Sequence, residues 1–419
     1  MDDIKGRKLL ILGGNALISD IVIKARDLGV YTIVTDWNSV EDSPAKKIAD
    51  EHWEISLMDY DILTNQIKKH SVDGIITGFV DSYLIPYQHL CESCGLPCYA
   101  TKDQFEWSLD KSLFKKVCQD YHVPIVPEYD VKNLDKTIIS KENKVIIKPV
   151  DNSGSRGICI CDDPSQFDEL LEFSLGFSPK KKVVIERYMD CDDVSFEYKI
   201  QNGEVSLTSI CDRYIYKTSQ FGSVTSGLIY PSKYLQIYQE NVDENVKQMF
   251  REKGLLNGVL FMQAFVESNK FYFYEMGFRL SGGRHYIFTK NQNDDSSIEQ
   301  LIHFAITGQM DNRRISQIAT PYFDDVCCQV SVLCKTDCIH SIDGQDELNN
   351  IPEIIDTLYS YEVGDTIGKQ GTAAQIFARF HIVSHTMEKL KEILDIIKST
   401  LVVKNKQGEN IIIDTAFIY

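Results

Sequence analysis

A lysine set on an apolar strand directly before a glycine-serine loop is the first group that could do chemistry: VIIKPVDNSGSRGICI, residues 145 to 160. Val145, Ile146 and Ile147 favour a strand, and Ile158 to Ile160 resume the apolar run after Gly157, so the segment reads as a hairpin. Pro149 biases Lys148 towards an extended backbone, which holds its ammonium in one direction at the strand's end. A fixed cation beside a loop of backbone N–H groups, through Ser153, Gly154, Ser155 and Gly157, suits a polyphosphate. The glycine spacing fits neither the G-x-x-x-x-G-K-[ST] phosphate loop nor the G-x-G-x-x-G dinucleotide fingerprint, both of which also run into a helix. A solvated hairpin tip with an ordinary lysine has the same composition, so this segment alone leaves both readings open.

The second group lies in GVLFMQAFVESNKFYFYEMGFRLSGG, residues 258 to 283. Strict alternation puts Phe271, Phe273 and Glu275 on one strand face, where a carboxylate needs a partner. A three-residue loop of Ser268, Asn269 and Lys270 places Gln263 directly opposite Glu275, whereas a loop of two or four would put them on opposite faces. Facing amide and carboxylate oxygens are suitable ligands for Mg²⁺, a hard ion usually shared with phosphates. Arg279 and the SGG turn after it could hold a second anion through the guanidinium and backbone N–H groups. The alternative is a cross-strand Gln–Glu hydrogen bond and a surface arginine. His381 and His385 are four apart, but on an alternating segment without an HExxH pattern.

These groups sit in a chain of 419 residues, 43% hydrophobic and 25% charged, enough for two to four domains with ample core. Lys+Arg of 44 against Asp+Glu of 61 gives a net charge of −17, which argues against nucleic-acid or anionic-membrane partners. A polyanionic ligand then requires cations concentrated locally. No apolar run reaches eighteen residues, and the hydrophobic run of MDDIKGRKLLILGG is short for a signal peptide, so a cytoplasmic location is expected. The 12 cysteines are scattered, as reduced thiols would be, and CESC at 91–94 lacks the second CxxC of a zinc site.

The elements around the two groups follow from periodicity. KLLILGGN, ISDIVIKARDLG and VYTIVTD read as strand, helix, strand, and VDGIITG and GLPCYA as two more strands about the helix YLIPYQHLCESC. This predicts an open parallel sheet to about residue 100, with Gly13, Gly14 and Asp36 mimicking part of a dinucleotide site. Residues 101 to 122 carry the spacing of one helix, ended by VPIVP. The alternating runs about the NG of VSFEYKIQNGEVSLTSICDRY predict a hairpin. The last hundred residues, from VCCQVSVLC through IFARFHIVSH and the helix TMEKLKEILDIIKSTL to a strand ENIIIDTAF, predict a small further domain.

The order DKSLFKK, IIKP with its glycine loop, VVIERYMDCDDVSFE, then MQAF and YEMGFR resembles the ATP-grasp superfamily. The domain order is similar to the biotin carboxylase and carbamoyl phosphate synthetase branch. The resemblance covers essentially the whole chain and implies an α/β and α+β fold: a Rossmann-like domain at 1–100, an ATP-grasp domain at 101–310 with a lid at about 125–187, and a C-terminal α+β domain at 311–419. It implies ATP as cofactor with Mg²⁺ or Mn²⁺. Lys111 and Lys148 would contact the phosphates, Gly154 to Gly157 would close over them, and backbone groups of Glu186, Arg187 and Tyr188 would read the adenine. Asp193 would meet the ribose, Gln263 and Glu275 the metal, and Arg279 the phosphate and acyl phosphate. The family often has asparagine two residues after the second acidic ligand, where this chain has Gly277.

The activity so implied is a ligase that activates a small carboxylate as an acyl phosphate and passes it to an amine or thiol, releasing ADP and phosphate. Two other readings fit the same motifs: a bicarbonate-dependent enzyme working through carboxyphosphate, and an ATP-binding protein without turnover. His285, in GGRHY, is a candidate to orient or deprotonate the amine, against a histidine simply hydrogen-bonded in a loop. Residues 211 to 231 are expected to line the acceptor pocket, with Arg213 pairing a substrate carboxylate. The expected partners are small molecules, with neither nucleic acid nor membrane, and the expected assembly is a homodimer.

Overall fold

A computed structural model describes residues 2–151, 156–217 and 223–414. The N-terminal strands β1 (Lys8–Leu12), β2 (Tyr31–Asp36), β3 (Glu51–Glu54) and β4 (Gly74–Thr77) form a parallel sheet in the order β3-β2-β1-β4. Leu9 to Leu12 are fully buried, as the continuous apolar run requires of a strand covered on both faces. GLPCYA is not a strand; after the helix Leu84–Cys94, capped by left-handed Gly95, the chain crosses in irregular structure to Thr101. The strand β3 takes the sheet's fourth place instead.

The segment 101–122 is two helices rather than one, Lys102–Leu109 and Lys111–Asp120. Asp110 breaks them: its backbone is extended, and its carboxylate accepts from Ser112 and Leu113 N–H as the cap of the second helix. Lys111 is thereby placed at a helix start, its own N–H donating to Val150 O at 3.0 Å beside the lysine strand.

A small antiparallel sheet follows, β5 (Glu128–Tyr129), β6 (Val145–Pro149), β7 (Cys159–Cys161) and β8 (Val183–Arg187), in the order β5-β8-β6-β7. Val145, Ile147, Cys159, Cys161 and Ile185 pack with Phe167 of the helix Phe167–Gly176 into a separate core. The pairing of β6 with β7 is the hairpin read from the sequence. Gly157 closes that hairpin with φ +77, where a Cβ would stand 2.6 Å from Phe177 Cβ, so both conformation and space demand glycine.

The largest sheet takes β9 (Asp192–Gln201), β10 (Glu204–Lys217), β11 (Ser223–Tyr230), β12 (Gly258–Glu267), β13 (Lys270–Gly277), β14 (Val326–Leu333), β16 (Ile354–Tyr359) and β17 (Ile376–Ser384), while β15 (Ser341–Asp343) and β18 (Val402–Lys404) form a separate ribbon. Its order is β13-β12-β9-β10-β11-β14-β17-β16, antiparallel throughout. The NG turn joins β9 to β10 with positive φ at both Asn202 and Gly203. The C-terminal strands thus extend the sheet begun by β9, with the helix Met387–Thr400 packed into their core. ENIIIDTAF contributes only isolated bridges at Asn410 and Ile412, and its end lies outside the described residues. Among the described residues no helix is long and apolar enough to cross a membrane.

Candidate active site

The large sheet, the small sheet and the loops above the parallel sheet together enclose a cleft of about 820 Å³. Lys111, Lys148, Tyr188, Asp193, Gln263, Glu275 and Arg279 line it together, although they come from every part of the chain between residues 111 and 279. Glu186, Arg187, Gly157 and His285 are outside its wall. Ser153, Gly154 and Ser155 lie outside the described residues.

The hairpin β12–β13 brings Gln263 opposite Glu275 as expected, but by another route. Glu267 pairs with Lys270, so the turn is the two residues Ser268 and Asn269, both with positive φ. Such a turn would put Gln263 and Glu275 on opposite faces. A bulge corrects this: Ala264 pairs with Phe273, Gln263 with Glu275, and Tyr274 is the extra residue. Phe271 and Phe273 go to the core, whereas the adjacent residues Tyr274 and Glu275 both reach the cleft. Glu275 therefore does not share the Phe271 and Phe273 face that strict alternation predicts.

Tyr274 ties the wall together. Its hydroxyl lies 3.0 Å from Gln263 Oε1 and 3.1 Å from the Asp193 carboxylate. Arg213 donates to both Asp193 oxygens at 2.9 Å, to the Tyr274 hydroxyl and to Thr225 Oγ1. Burial alone would lower the Arg213 pKa, but the Asp193 carboxylate reverses this and keeps the guanidinium charged. Arg213 is thus already paired, which removes it as the free cation expected for a substrate carboxylate.

Lys148 is held from behind. Its Nζ lies 2.8 Å from Glu186 Oε2 and 5.3 Å from the centre of the Tyr274 ring. The other Glu186 oxygen accepts from Lys115 at 2.5 Å, and Lys115 also reaches Glu128 at 2.8 Å. Burial pushes the Glu186 carboxyl up, but Lys148 and Lys115 outweigh it and leave the group below the ordinary carboxylate range. The Glu186 side chain is therefore a lysine anchor. The backbone N–H of Arg187 donates to Pro127 O and that of Tyr188 to Lys144 O, both at 3.0 Å, so neither is left for a ligand; Met189, the next residue, lines the cleft.

Arg279 reaches the cleft from a rigid mount. It makes two bonds to Asp81 above the parallel sheet, at 2.6 and 2.7 Å, donates to Leu280 O, and stacks 5.0 Å from the Phe261 ring centre. Gly277 makes room for that ring: a Cβ there would stand 2.5 Å from Phe261 Cζ. The place where the resemblance expects an asparagine oxygen is filled by a phenyl edge.

Two residues that the sequence left unassigned belong to the site. Glu197, at the end of VSFE, lines the cleft at 2% exposure, and burial pushes its carboxyl well up despite Ser281 and Arg279. His285 stands behind it, Nδ1 3.4 Å from Glu197 Oε2, and is pushed down to about 3 by burial and Lys199, so it is neutral. It faces Glu197 and Ser281 instead of the cleft. Arg379, the second addition, was visible only as one arginine in the apolar alternation of IFARFHIVSH.

The cleft offers oxygen donors for a hard cation. Glu275 is half-buried, with no hydrogen bond or ion pair among the described residues, and Gln263 Oε1 faces it with a second lone pair beyond the one taken by Tyr274. No group of three or more His, Cys, Asp or Glu side chains gathers as a metal cage among the described residues. Two protein oxygens suit Mg²⁺ completed by water and phosphate.

Residues 109–283 match the ATP-grasp domain family. A formate-dependent phosphoribosylglycinamide formyltransferase of Erythrobacter litoralis is 22% identical over 191 residues, 44% of this chain and 48% of that protein. The chain spans about half the length of the curated relatives it matches. An L-amino acid ligase from Bacillus licheniformis superposes with a TM-score of 0.78 at 16% identity, covering 96% of this chain and 99% of that one. A phosphoribosylglycinamide synthetase from Anaerococcus prevotii gives 0.75 at 18% identity, covering 96% and 100%. At such identities these two likenesses bear on the fold. The motif order, the cleft and the family match converge on one assignment: residues 109–283 of this chain are an ATP-grasp domain.

Proposed function

We propose that the protein is an ATP-dependent ligase that transfers the γ-phosphoryl group of ATP to a small carboxylate, after which an amine displaces the phosphate. ADP and inorganic phosphate leave, and a C–N bond remains. The observation that carries this reading is the convergence of Lys148, Arg279 and the facing pair Gln263 and Glu275 on one cleft. The curated relatives named as formate-dependent transferases and the ligases among the solved structures point the same way.

Lys148 and Lys111 bind the phosphates, and Glu186 holds Lys148 at a fixed place. Met189 and Tyr188 flank the nucleotide base at the end of β8. Glu275 and Gln263 would hold Mg²⁺, which would neutralise charge on the phosphate oxygens. Arg279, fixed by Asp81 and Phe261, meets the negative charge that develops on the acyl phosphate and its adduct with the amine. A rigid mount matters because positioning and electrostatics carry most of a phosphoryl transfer. The protein acts on small molecules in the cytoplasm as a homodimer, for which light scattering would give about twice the chain's 47.9 kDa.

The test is ADP release with Mg²⁺ and pools of small carboxylates, with and without amines and bicarbonate. Release that requires one carboxylate and one amine, and that disappears in Lys148→Ala, is expected. Release dependent on bicarbonate alone would transfer the protein to the carboxyphosphate enzymes, and nucleotide binding with no release from any pool would refute turnover.

A further inference from the structure

The cleft extends beyond Arg279 over a floor made by β11, β14 and β17. Alternation sends Cys328, Val330 and Val332 of β14, and Ala378, Phe380 and Ile382 of β17, into the C-terminal core. The opposite face carries Gln329 and Ser331, and Ser331 pairs directly with Arg379. Leu228 pairs with Gln329 and continues the same face as an apolar residue. Gln329 Nε2 donates to Ser331 Oγ at 2.8 Å, so the two amide and hydroxyl groups are mutually oriented under the guanidinium. Above, Leu17, Phe79 and Val80 come down from the parallel sheet's loops.

Charge at this floor is sparse. Lys148 is paired with Glu186, Arg213 with Asp193, Lys217 with Asp190, Lys233 with Asp192 and Arg279 with Asp81. Arg379 lines the same cleft and has no hydrogen bond or ion pair among the described residues. Burial, and then the neighbouring Arg284, push the Arg379 guanidinium down to about 10, so an anion at this place would relieve a disfavoured charge.

Resting on the ligase reading, we infer that this end of the cleft seats a substrate with a single carboxylate on an apolar body, an apolar α-amino acid in class, its carboxylate held by Arg379. One fork-shaped cation matches one carboxylate in charge and geometry. A phosphate monoester, nearly doubly charged, would bring one negative charge more than the floor can neutralise, next to the apolar walls of Leu17, Phe79 and Leu228. Substrates carrying a ribose phosphate, such as the phosphoribosylglycinamide in the names of the curated relatives, are therefore disfavoured here.

The test is calorimetric binding to the MgADP-loaded protein, with L-leucine, L-methionine and L-phenylalanine, the amides of the same three, and phosphoribosylglycinamide as probes. At least one acid should bind, its amide about 10- to 100-fold more weakly. Arg379→Ala should weaken the acid by the same factor and Arg379→Lys by less, with affinity for MgADP itself retained as proof of folding. An amide that binds as well as its acid, tighter binding of phosphoribosylglycinamide, unchanged affinity in Arg379→Ala, or no binding by any acid would overturn the inference. An acid that binds through Arg379 but never drives ADP release with any amine would refute the ligase reading and leave this site standing.

Discussion

Glu186→Gln is the perturbation with the largest consequence. The side chain is 0% exposed between Lys115 and Lys148, themselves 1% and 6% exposed, at 2.5 and 2.8 Å. Each contact supplies on the order of 6 kcal/mol of gross attraction at an effective dielectric constant near 20. Burying each ion costs several kcal/mol, so the intact cluster lies near break-even, while removing its central charge leaves two ammonium groups facing each other out of water. A loss of about 3–5 kcal/mol follows. It should fall on the small sheet, which that cluster ties to the helix Lys111–Asp120. Amide exchange in β6 and β8 should quicken by about 100-fold or more, with the parallel sheet little affected. Adding Lys148→Met should recover stability, because Lys115 keeps Glu128 at 2.8 Å. The depressed Glu186 pKa fixes the sign with pH: the contribution is full above the unfolded value of about 4.3 and is lost as pH falls below it. Unchanged exchange in Glu186→Gln, or a double variant less stable than the single, would refute this account of the cluster.

Three further outcomes are expected. Glu275→Gln should leave the urea midpoint within about 0.5 kcal/mol, since the carboxylate makes no hydrogen bond or close ion pair among the described residues and feels Arg279 only at longer range, yet weaken Mg²⁺-dependent nucleotide binding at least tenfold in calorimetry. Gly277→Ala should cost about 1–3 kcal/mol in urea unfolding by driving a Cβ against Phe261, and Phe261→Leu should relieve it; a neutral single variant would sink the packing argument. Asp356, which burial raises but His381 and Arg284 pull down to about 2, should contribute stability that is complete above pH about 4 and lost towards pH 2, a loss absent from Asp356→Asn in acid titrations.

Much of the fold was legible because it is local. Runs such as KLLIL and YTIVTD declare buried strands, and NG at 202–203 declares its hairpin. The break at Asp110 was hidden because its capping competes with a helical pattern that continues on both sides. Strand spacing predicts Gln263 opposite Glu275 through a three-residue loop, whereas the structure uses a two-residue turn and a bulge, which leaves no reliable mark in a run of alternating aromatics. The long-range partners were illegible: nothing near Glu186 in sequence announces lysines 71 and 38 residues away. The partners of Arg213 and His285, Asp193 and Glu197, meet them only across the folded sheet and its adjoining loop, so neither pairing leaves a local mark.

The bulge at Tyr274 separates two jobs that a plain hairpin would confound. Everything outward of Ala264 and Phe273, including the Ser268 and Asn269 turn, can keep its own beat, because the phase of the oxygen pair is reset at a single residue next to the cleft. The tip is then a handle whose sequence can drift, while the instrument it carries stays in tune.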